Sequence, residues 1–302
     1  MVRKRSLKGS PKGKSVYKPL SPAVEQAAQI LLCLGENPNF KMRLTEICSQ
    51  VGIHNSKGHS ILNTLKQFGF VEKDPQAKTY SLGPALIFLS RHVLDNLYYP
   101  DIVAPFLEAL AKETTGTALF GLIYGEHLLV VGKREGNQNI GFGIRLGHRF
   151  HITLGAHGKA IVAFMPEADR EKILAKKKVY FHGLEVSQLN LKRLREELTK
   201  CRELGYAKDI GEVTPGVNFV SAPVFGVEEK IIGCIIVIGT FPESVVDQYG
   251  RKTADIAKQV SYKLGADIKT LYKRKGGQHI ERSVNDEILE SFLGNVVQKR
   301  IG

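Results

Sequence analysis

The sequence predicts an α+β protein built in two folded parts, and three observations predict it. The chain has 302 residues, more than a single hydrophobic core usually serves. Its first hundred residues carry three short helical periodicities and then two strand-like runs about Asp74-Pro75, a helical module closed by a β-hairpin. From Asp101 onward, strand and helix patterns alternate in an order that suits hairpins with helices covering one face rather than a doubly wound sheet.

Composition narrows the class further. At 43% hydrophobic and 24% charged residues, the chain has the make-up of an ordinary globular protein. No apolar run reaches the roughly 18 residues that a membrane helix needs, and the basic N-terminus has no apolar centre of the kind a signal peptide carries. A cytoplasmic protein with no membrane partner is therefore expected. The cysteines, Cys33, Cys48, Cys201 and Cys234, show no C-x-x-C pairing. That argues against a disulfide framework or a thiolate zinc site, and all four read as small buried hydrophobes.

The net charge of +13 is unevenly spread: Arg3, Lys4, Arg5, Lys8, Lys12, Lys14 and Lys18 stand in residues 1–20 with no acidic residue among them. This stretch reads as a basic flexible arm, unable to bury a core. It suits an anionic polymer as well as it suits a solvated tail.

Residues 21–83 make the first folded module. Ser21-Pro22 is a helix-start signal, and Val24, Ala27, Ala28 and Leu31 form an apolar stripe that runs to Gly35. Leu44, Ile47, Cys48 and Val51 repeat the spacing in a second short helix that Gly52 breaks. A third opens at Asn55 or Ser56, either of which can cap it, and buries Gly58, Ile61, Leu62 and Leu65. Two short helices joined by a glycine turn, followed by the hairpin of Phe70–Lys73 and Thr79–Leu82, form a winged helix-turn-helix. The outer face of the third helix holds Asn55, Ser56, Lys57, His59, Ser60, Asn63 and Thr64. Small polar side chains on one exposed helix are what a reader of base edges and phosphates in a major groove needs, which makes double-stranded DNA the expected partner.

Residues 84–100 read as a linker helix whose core, Ala85–Leu94, is apolar nearly all round and so is expected to pack against a partner subunit. Within residues 101–272, helices are expected at Ile102–Lys112, Ala156–Phe164, Glu167–Leu174, Leu191–Leu204 and Ser244–Tyr272. Strands are expected at Thr117–Tyr124, Leu128–Arg134, Ile140–Arg145, Val217–Phe225 and Ile231–Gly239. Residues 273–302 form an extension of unassigned role with one amphipathic stretch, Ile288–Val297.

Three blocks of text resemble the IclR-type (isocitrate lyase regulator) transcription factors, in that family's order and spacing. They are LTEICSQVGIHNSKGHSILNTLKQFGFVEKDPQAKTYSLG, GAHGKAIVAFMPEADREKIL and ELGYAKDIGEVTPGVNFVSAPVFGVEEKIIGCIIVIG, and the likeness runs from about Val24 to Ala266. It implies a winged helix-turn-helix, a linker helix and a GAF-like α/β effector domain, assembled as a homodimer or a dimer of dimers. The function it implies is a ligand-responsive repressor of operator DNA, and the apolar side chains of Phe219, Ile236 and Ile238 make the expected effector a small, partly apolar organic acid or aromatic metabolite. The chain departs from the family's habits in having Ser60 where an arginine is common, and Ile236 and Ile238 where relatives that bind small acids present serines.

The candidate effector site joins two kinds of wall. Gly155, Ala156 and His157 open a helix whose free amides and positive dipole suit a carboxylate or other polar end; Thr153 stands where a Walker A loop would require its first glycine. Asp209, Val217 and Phe219 lie on the matched segment at positions where relatives touch their effector, and Ile236 and Ile238 add an apolar wall. His148, His151 and His157 crowd one segment, yet no carboxylate stands at a telling spacing, so no metal ligand is assigned. Nor is any cofactor or catalytic residue, since there is no G-x-S-x-G elbow and no cysteine with an evident histidine partner. The alternative carried alongside is a small-molecule enzyme on the GAF-like domain with an accessory binding module.

Overall fold

The computed structural model describes residues 21–37, 39–96, 99–136, 143–176, 178–183 and 189–268. The basic arm and the extension from residue 273, with its stretch Ile288–Val297, lie outside them. Contacts divide the chain into two compact units, Met1–Leu97 and Tyr98–Gly302.

In the first unit, α1 (Pro22–Glu36) starts with proline in its first turn, and Ile30 and Leu34 are its buried residues. α2 (Leu44–Val51) ends on Gly52 in the left-handed conformation, φ +72°, with the Gly52 amide bonded back to the Cys48 carbonyl. This is the turn that sets α3 (Asn55–Gln67) across α2. The two helices approach closely because residue 58 is glycine: a Cβ there would stand 2.2 Å from Cys48 Sγ. Ile30, Leu34, Met42, Ile47, Leu62, Val71 and Tyr80 make the common core.

Two details differ from the expectation. The cap of α3 is His54, whose Nδ1 accepts the Ser56 amide, rather than Asn55 or Ser56; a ring nitrogen one residue upstream does the work usually given to a short polar side chain. The wing is a three-stranded sheet, not a bare hairpin. β2 (Val71–Lys73) and β3 (Thr79–Leu82) pair as expected, and β1 (Met42–Arg43) adds to β3 through Met42 opposite Tyr80. α4 (Ala85–Asn96) follows, tied at its start by the Ala85 amide to the Gly69 carbonyl. Ile87 and Leu89 on α4 are exposed, at 73% and 47%. The reading of four buried cysteines holds for Cys48, Cys201 and Cys234, whereas Cys33 is half-buried, its Sγ 2.9 Å from Gln50 Oε1.

The second unit is a six-stranded antiparallel sheet in the order β6-β5-β4-β9-β8-β7. Its strands are β4 (Thr117–Tyr124), β5 (His127–Arg134), β6 (Arg149–His151), β7 (Ala207–Ile210), β8 (Asn218–Phe225) and β9 (Ile231–Gly239). Two of these correct the sequence reading. Among residues 140–145, those described, 143–145, are not strand; β6 takes the third place beside β5 instead, with His127 opposite His151. β7 went unforeseen because Ala-Lys-Asp-Ile offers only two apolar residues, and it is the pairing with β8 that makes it a strand.

Helices cover both faces rather than one. α5 (Tyr99–Thr114) and α9 (Val246–Lys263) pack together on one side, while α6 (Gly155–Phe164), backed by α8 (Leu191–Leu204), lies on the other; α7 (Glu167–Leu174) follows α6. The cause is legible in β9: Ile-Ile-Gly-Cys-Ile-Ile-Val-Ile-Gly is apolar at both parities and buried over its last seven residues, and a strand apolar on both faces has to be covered on both. α9 also stops earlier than the expected Tyr272. Its ladder ends at Lys263, where Leu264 and Gly265 (φ +90°) turn the chain.

Candidate functional site

The register of the sheet builds one face into a wall. Asp209 pairs with Phe219 and Phe219 with Ile238; one row on, Ser221 pairs with Ile236 and Ile236 with Leu119. Because side chains on every second residue share a face, Asp209, Phe219, Ile236, Ile238 and Leu119 all project from the α6 side. Gly155 takes φ +47° at the start of α6. Its conformation suits glycine, and so does its setting, since a Cβ there would lie 2.6 Å from Asp209 Oδ2 and 2.8 Å from Val213 Cγ2.

Between that wall and the start of α6 lies a cavity of about 260 Å³. All eight residues singled out for an effector, Gly155, Ala156, His157, Asp209, Val217, Phe219, Ile236 and Ile238, line it. Seven further lining residues went unforeseen: Leu119, Gly143, Ile144, Phe150, Leu154, Val213 and Thr214. Leu119 was already placed on a strand, and only its register with Ile236 brings it to the cavity. Val213 and Thr214 stand in the loop after β7 and carry no periodic signal at all.

The cavity has one polar end. α6 begins without a side-chain cap. The Gly155 amide is used by the Tyr180 carbonyl and the Gly158 amide by the Leu154 carbonyl, so among the described residues the amides of Ala156 and His157 are the donors left in the first turn. Asp209 faces them, 1% exposed. Its Oδ1 accepts the Glu212 amide at 2.9 Å, while Oδ2 is buried with no hydrogen-bond partner. Burial raises this carboxyl above its ordinary value, against the lowering effect of the Glu212 amide and the Lys159 charge.

His157 is also buried, and burial pushes its imidazole down to about 4. Nε2 stands 3.0 Å from the His151 carbonyl, a group that only accepts, so Nε2 carries the proton of a neutral ring. His148 packs on Phe150 and His151 on Tyr180. Among the described residues, no three His, Cys, Asp or Glu side chains are grouped to hold a metal ion.

Behind the cavity sits an ion network that sequence reading missed. Lys159, one turn along α6 from Gly155, is 2% exposed and reaches Glu212 Oε2 at 2.8 Å and Glu197 Oε2 at 3.0 Å. Glu197 also meets His182 Nε2 at 2.9 Å and Arg193 Nε at 2.8 Å, and Arg193 bonds Glu212 as well. Burial alone would raise the Glu197 carboxyl, but the His182 hydrogen bond and the Lys159 charge outweigh it and hold it at about 2. The residues involved are scattered over more than fifty positions, so only the fold brings them together.

In the first unit, Asn55, Ser56, Lys57, His59, Ser60, Asn63 and Thr64 are all exposed along α3. Several of their polar groups are already engaged locally: Thr64 Oγ1 donates to the Ser60 carbonyl at 3.1 Å, Asn63 Nδ2 lies 3.3 Å from His59 Nδ1, and Ser56 Oγ lies 2.9 Å from His54 Nδ1.

Comparison with known proteins matches both halves. Residues 23–75 fit the model of the IclR helix-turn-helix domain and residues 91–262 that of the bacterial transcriptional regulator IclR C-terminal domain. The HTH-type transcriptional regulator XynR of Escherichia coli is 28% identical over 217 residues, covering 72% of this chain and 85% of its own. A crystal structure of an IclR transcriptional regulator from Alicyclobacillus acidocaldarius aligns with a TM-score of 0.69 at 24% identity, over 82% of this chain and all of that one. An IclR homologue from Microbacterium hydrocarbonoxydans, solved with 4-hydroxybenzoate, shares the fold at a TM-score of 0.64 and 14% identity, over 80% of this chain and 99% of its own. Among the described residues no helix is long and apolar enough to cross a membrane. The chain belongs to the IclR family, transcriptional regulators that join a helix-turn-helix DNA-binding domain to a C-terminal ligand-binding domain.

Proposed function

We propose that this protein is a cytoplasmic repressor that reads a duplex operator with the exposed face of α3 and answers to a small organic effector held in the cavity of its C-terminal domain. The effector is partly apolar, an organic acid or aromatic metabolite, with its polar end toward the amides of Ala156 and His157 and its body against Val217, Phe219, Ile236 and Ile238. What supports this reading above all is the convergence of eight residues from the start of α6, from β7, from β8 and the residue before it, and from β9 on one cavity with an uncapped helix start at its end. Concave, mostly apolar sites with a few convergent polar groups are where small ligands bind. The protein works without chemistry on its effector and returns it unchanged; the relatives that match are named as regulators. It acts as a homodimer or a dimer of dimers, because one short helix covers few base pairs and two half-sites multiply affinity. The exposed Ile87 and Leu89 on α4 supply an apolar contact for that assembly.

The test is selection of genomic fragments on the full-length protein, followed by titration of the recovered operator in the presence of a metabolite panel that includes 4-hydroxybenzoate. A compound that shifts operator affinity, and is recovered chemically intact, bears the reading out. A protein that selects no sequence, or that consumes the compound, overturns it.

A further inference from the structure

The polar end of the cavity presents two donors and one carboxylate, and the carboxylate constrains what can enter. Asp209 Oδ2 is buried, has no partner within the described residues, and stands where a single methyl group on Gly155 would collide with it. A buried oxygen without a partner forgoes a hydrogen bond, a deficit that natural folds rarely leave unless something fills it. The helix start beside it asks for negative charge, whereas Asp209 already supplies one. An ionised ligand carboxylate set between them would face a second carboxylate at close range in a site mostly walled by hydrocarbon, and two carboxylates sharing such a site do not both stay ionised.

We propose that Asp209 selects effectors by the proton they bring: a neutral hydroxyl or amide donates its own hydrogen to Oδ2, whereas a carboxylate enters only together with one proton from solvent, shared in an O–H···O bond between the ligand and Asp209. The reasoning rests on the cavity being the effector site. In the balanced step, ligand carboxylate, Asp209 carboxylate and one proton combine to a single hydrogen-bonded pair carrying one negative charge, which the Ala156 and His157 amides stabilise.

The charged and titratable groups facing Asp209 are few. From α6 come Lys159, whose charge lowers the Asp209 carboxyl, and His157, held neutral by burial. From the loop after β7 comes Glu212, tied to Lys159 and through it to Glu197 and Arg193 on α8. β8 sets the uncharged Phe219 opposite. Among the described residues His157 is therefore the one other group in the cavity lining able to take the proton, and the experiment has to separate the two.

The probes are benzoate, benzyl alcohol and benzamide, one ring with three different polar ends. Their binding to full-length protein is followed by calorimetry across a pH range in which benzoate stays ionised, with the methyl signals of Ile236 and Ile238 as reporters of occupancy. Benzoate is expected to bind with uptake of up to one proton, read from its binding enthalpy in buffers of different ionisation enthalpy. Its affinity should fall toward tenfold per pH unit above the Asp209 titration, while that of benzyl alcohol and benzamide does not fall. In Asp209→Asn the benzoate slope should vanish. The buffer measurement on the unaltered protein keeps the test independent of how that variant folds. Benzoate binding without proton uptake, or a slope that survives in a folded Asp209→Asn variant and so belongs to His157, overturns this proposal alone. Methyl signals unmoved by all three probes at millimolar concentration overturn the cavity reading, and the proposal with it.

Discussion

Gly58 offers a prediction whose sign depends on one neighbouring atom. It is buried where α3 crosses α2, and a methyl built on it meets Cys48 Sγ at 2.2 Å, with Ile53 Cδ1 and Leu44 Cδ1 both at 3.5 Å. Only the sulfur contact is prohibitive. Gly58→Ala should gain about 0.5–1 kcal/mol from helix propensity and lose about 1–3 kcal/mol to overpacking, for a net destabilisation of the helix-turn-helix. Cys48→Ala alone leaves a small void and costs about 1 kcal/mol, a modest loss because few atoms are removed. In the Cys48→Ala background the same Gly58→Ala change no longer meets the sulfur, so it should stabilise by about 0.5–1 kcal/mol. The coupling between the two sites is then about 1–3 kcal/mol. Hydrogen exchange at the buried Leu62 and Leu65 amides reads the opening of this unit without unfolding the other, and each 1.4 kcal/mol appears as about a tenfold change in rate. If Gly58→Ala destabilises equally in both backgrounds, the close helix crossing described here is not what requires glycine.

Four further outcomes are expected. Asn63→Ala and His59→Ala should each reduce discrimination between operator and random DNA by about 1–3 kcal/mol; unchanged specificity in both would remove α3 as the reading face. Deleting residues 1–20 should flatten the dependence of log affinity on log salt, since fewer lysines and arginines then displace counterions from phosphate; an identical slope would mean that the arm never meets DNA. Phe219→Asp places a second carboxyl directly opposite Asp209 and should abolish the effector response while operator binding persists, so a folded variant that responds normally would relocate the site. Acid should weaken the C-terminal unit in two windows. The unfolded chain protonates His157 near 6.5 while the native ring resists to about 4, so that contribution, on the order of 3 kcal/mol, is complete above about 6.5 and lost as pH falls toward 4. Glu197, held at about 2 against an ordinary 4.5, contributes above 4.5 and loses its contribution as pH falls toward 2; His157→Gln should shrink the upper window, to which His148 and His151, also lowered by burial, contribute as well, and an unaltered acid profile would contradict its burial as a neutral ring.

What was legible in the sequence was local or periodic. The apolar spacing of α1 to α3, the glycine at 52 and the apolar runs of β4, β5 and β8 each place an element from nearest neighbours alone, and the structure contains them with ends moved by a residue or two. Gly155, Ala156 and His157 were legible as a helix start, but Asp209, Val217, Phe219, Ile236 and Ile238 were reached by resemblance, since nothing in the spacing of Ala156 and Ile238 says that they meet. What escaped was decided by pairing across the fold. Met42–Arg43 is too short to read as a strand and becomes one because Tyr80 lies opposite. Ile140–Arg145 has a plausible strand pattern, yet the edge of β5 is taken by Arg149–His151. Lys159 carried no reading of its own in the sequence, and its burial depends on two acids supplied by α8 and by the loop after β7.

That lysine bears on how an effector signal leaves the cavity. The short helix α6 carries the amides proposed to face the ligand in its first turn and Lys159 one turn later, so the polar end of the cavity and the ion network are joined by one rigid rod. Lys159 in turn fastens Glu212, whose amide holds Asp209 and whose neighbours Val213 and Thr214 line the cavity. Removing one partner from a buried pair of this kind typically costs about 3–5 kcal/mol, whereas the coupling between an effector and a distant site is usually about 1–3 kcal/mol. Parting Lys159 from Glu212 and Glu197 would take up a large share of what an effector's binding supplies, and a displacement that keeps the three together moves α6, the loop after β7 and α8 as one body rather than opening them against one another.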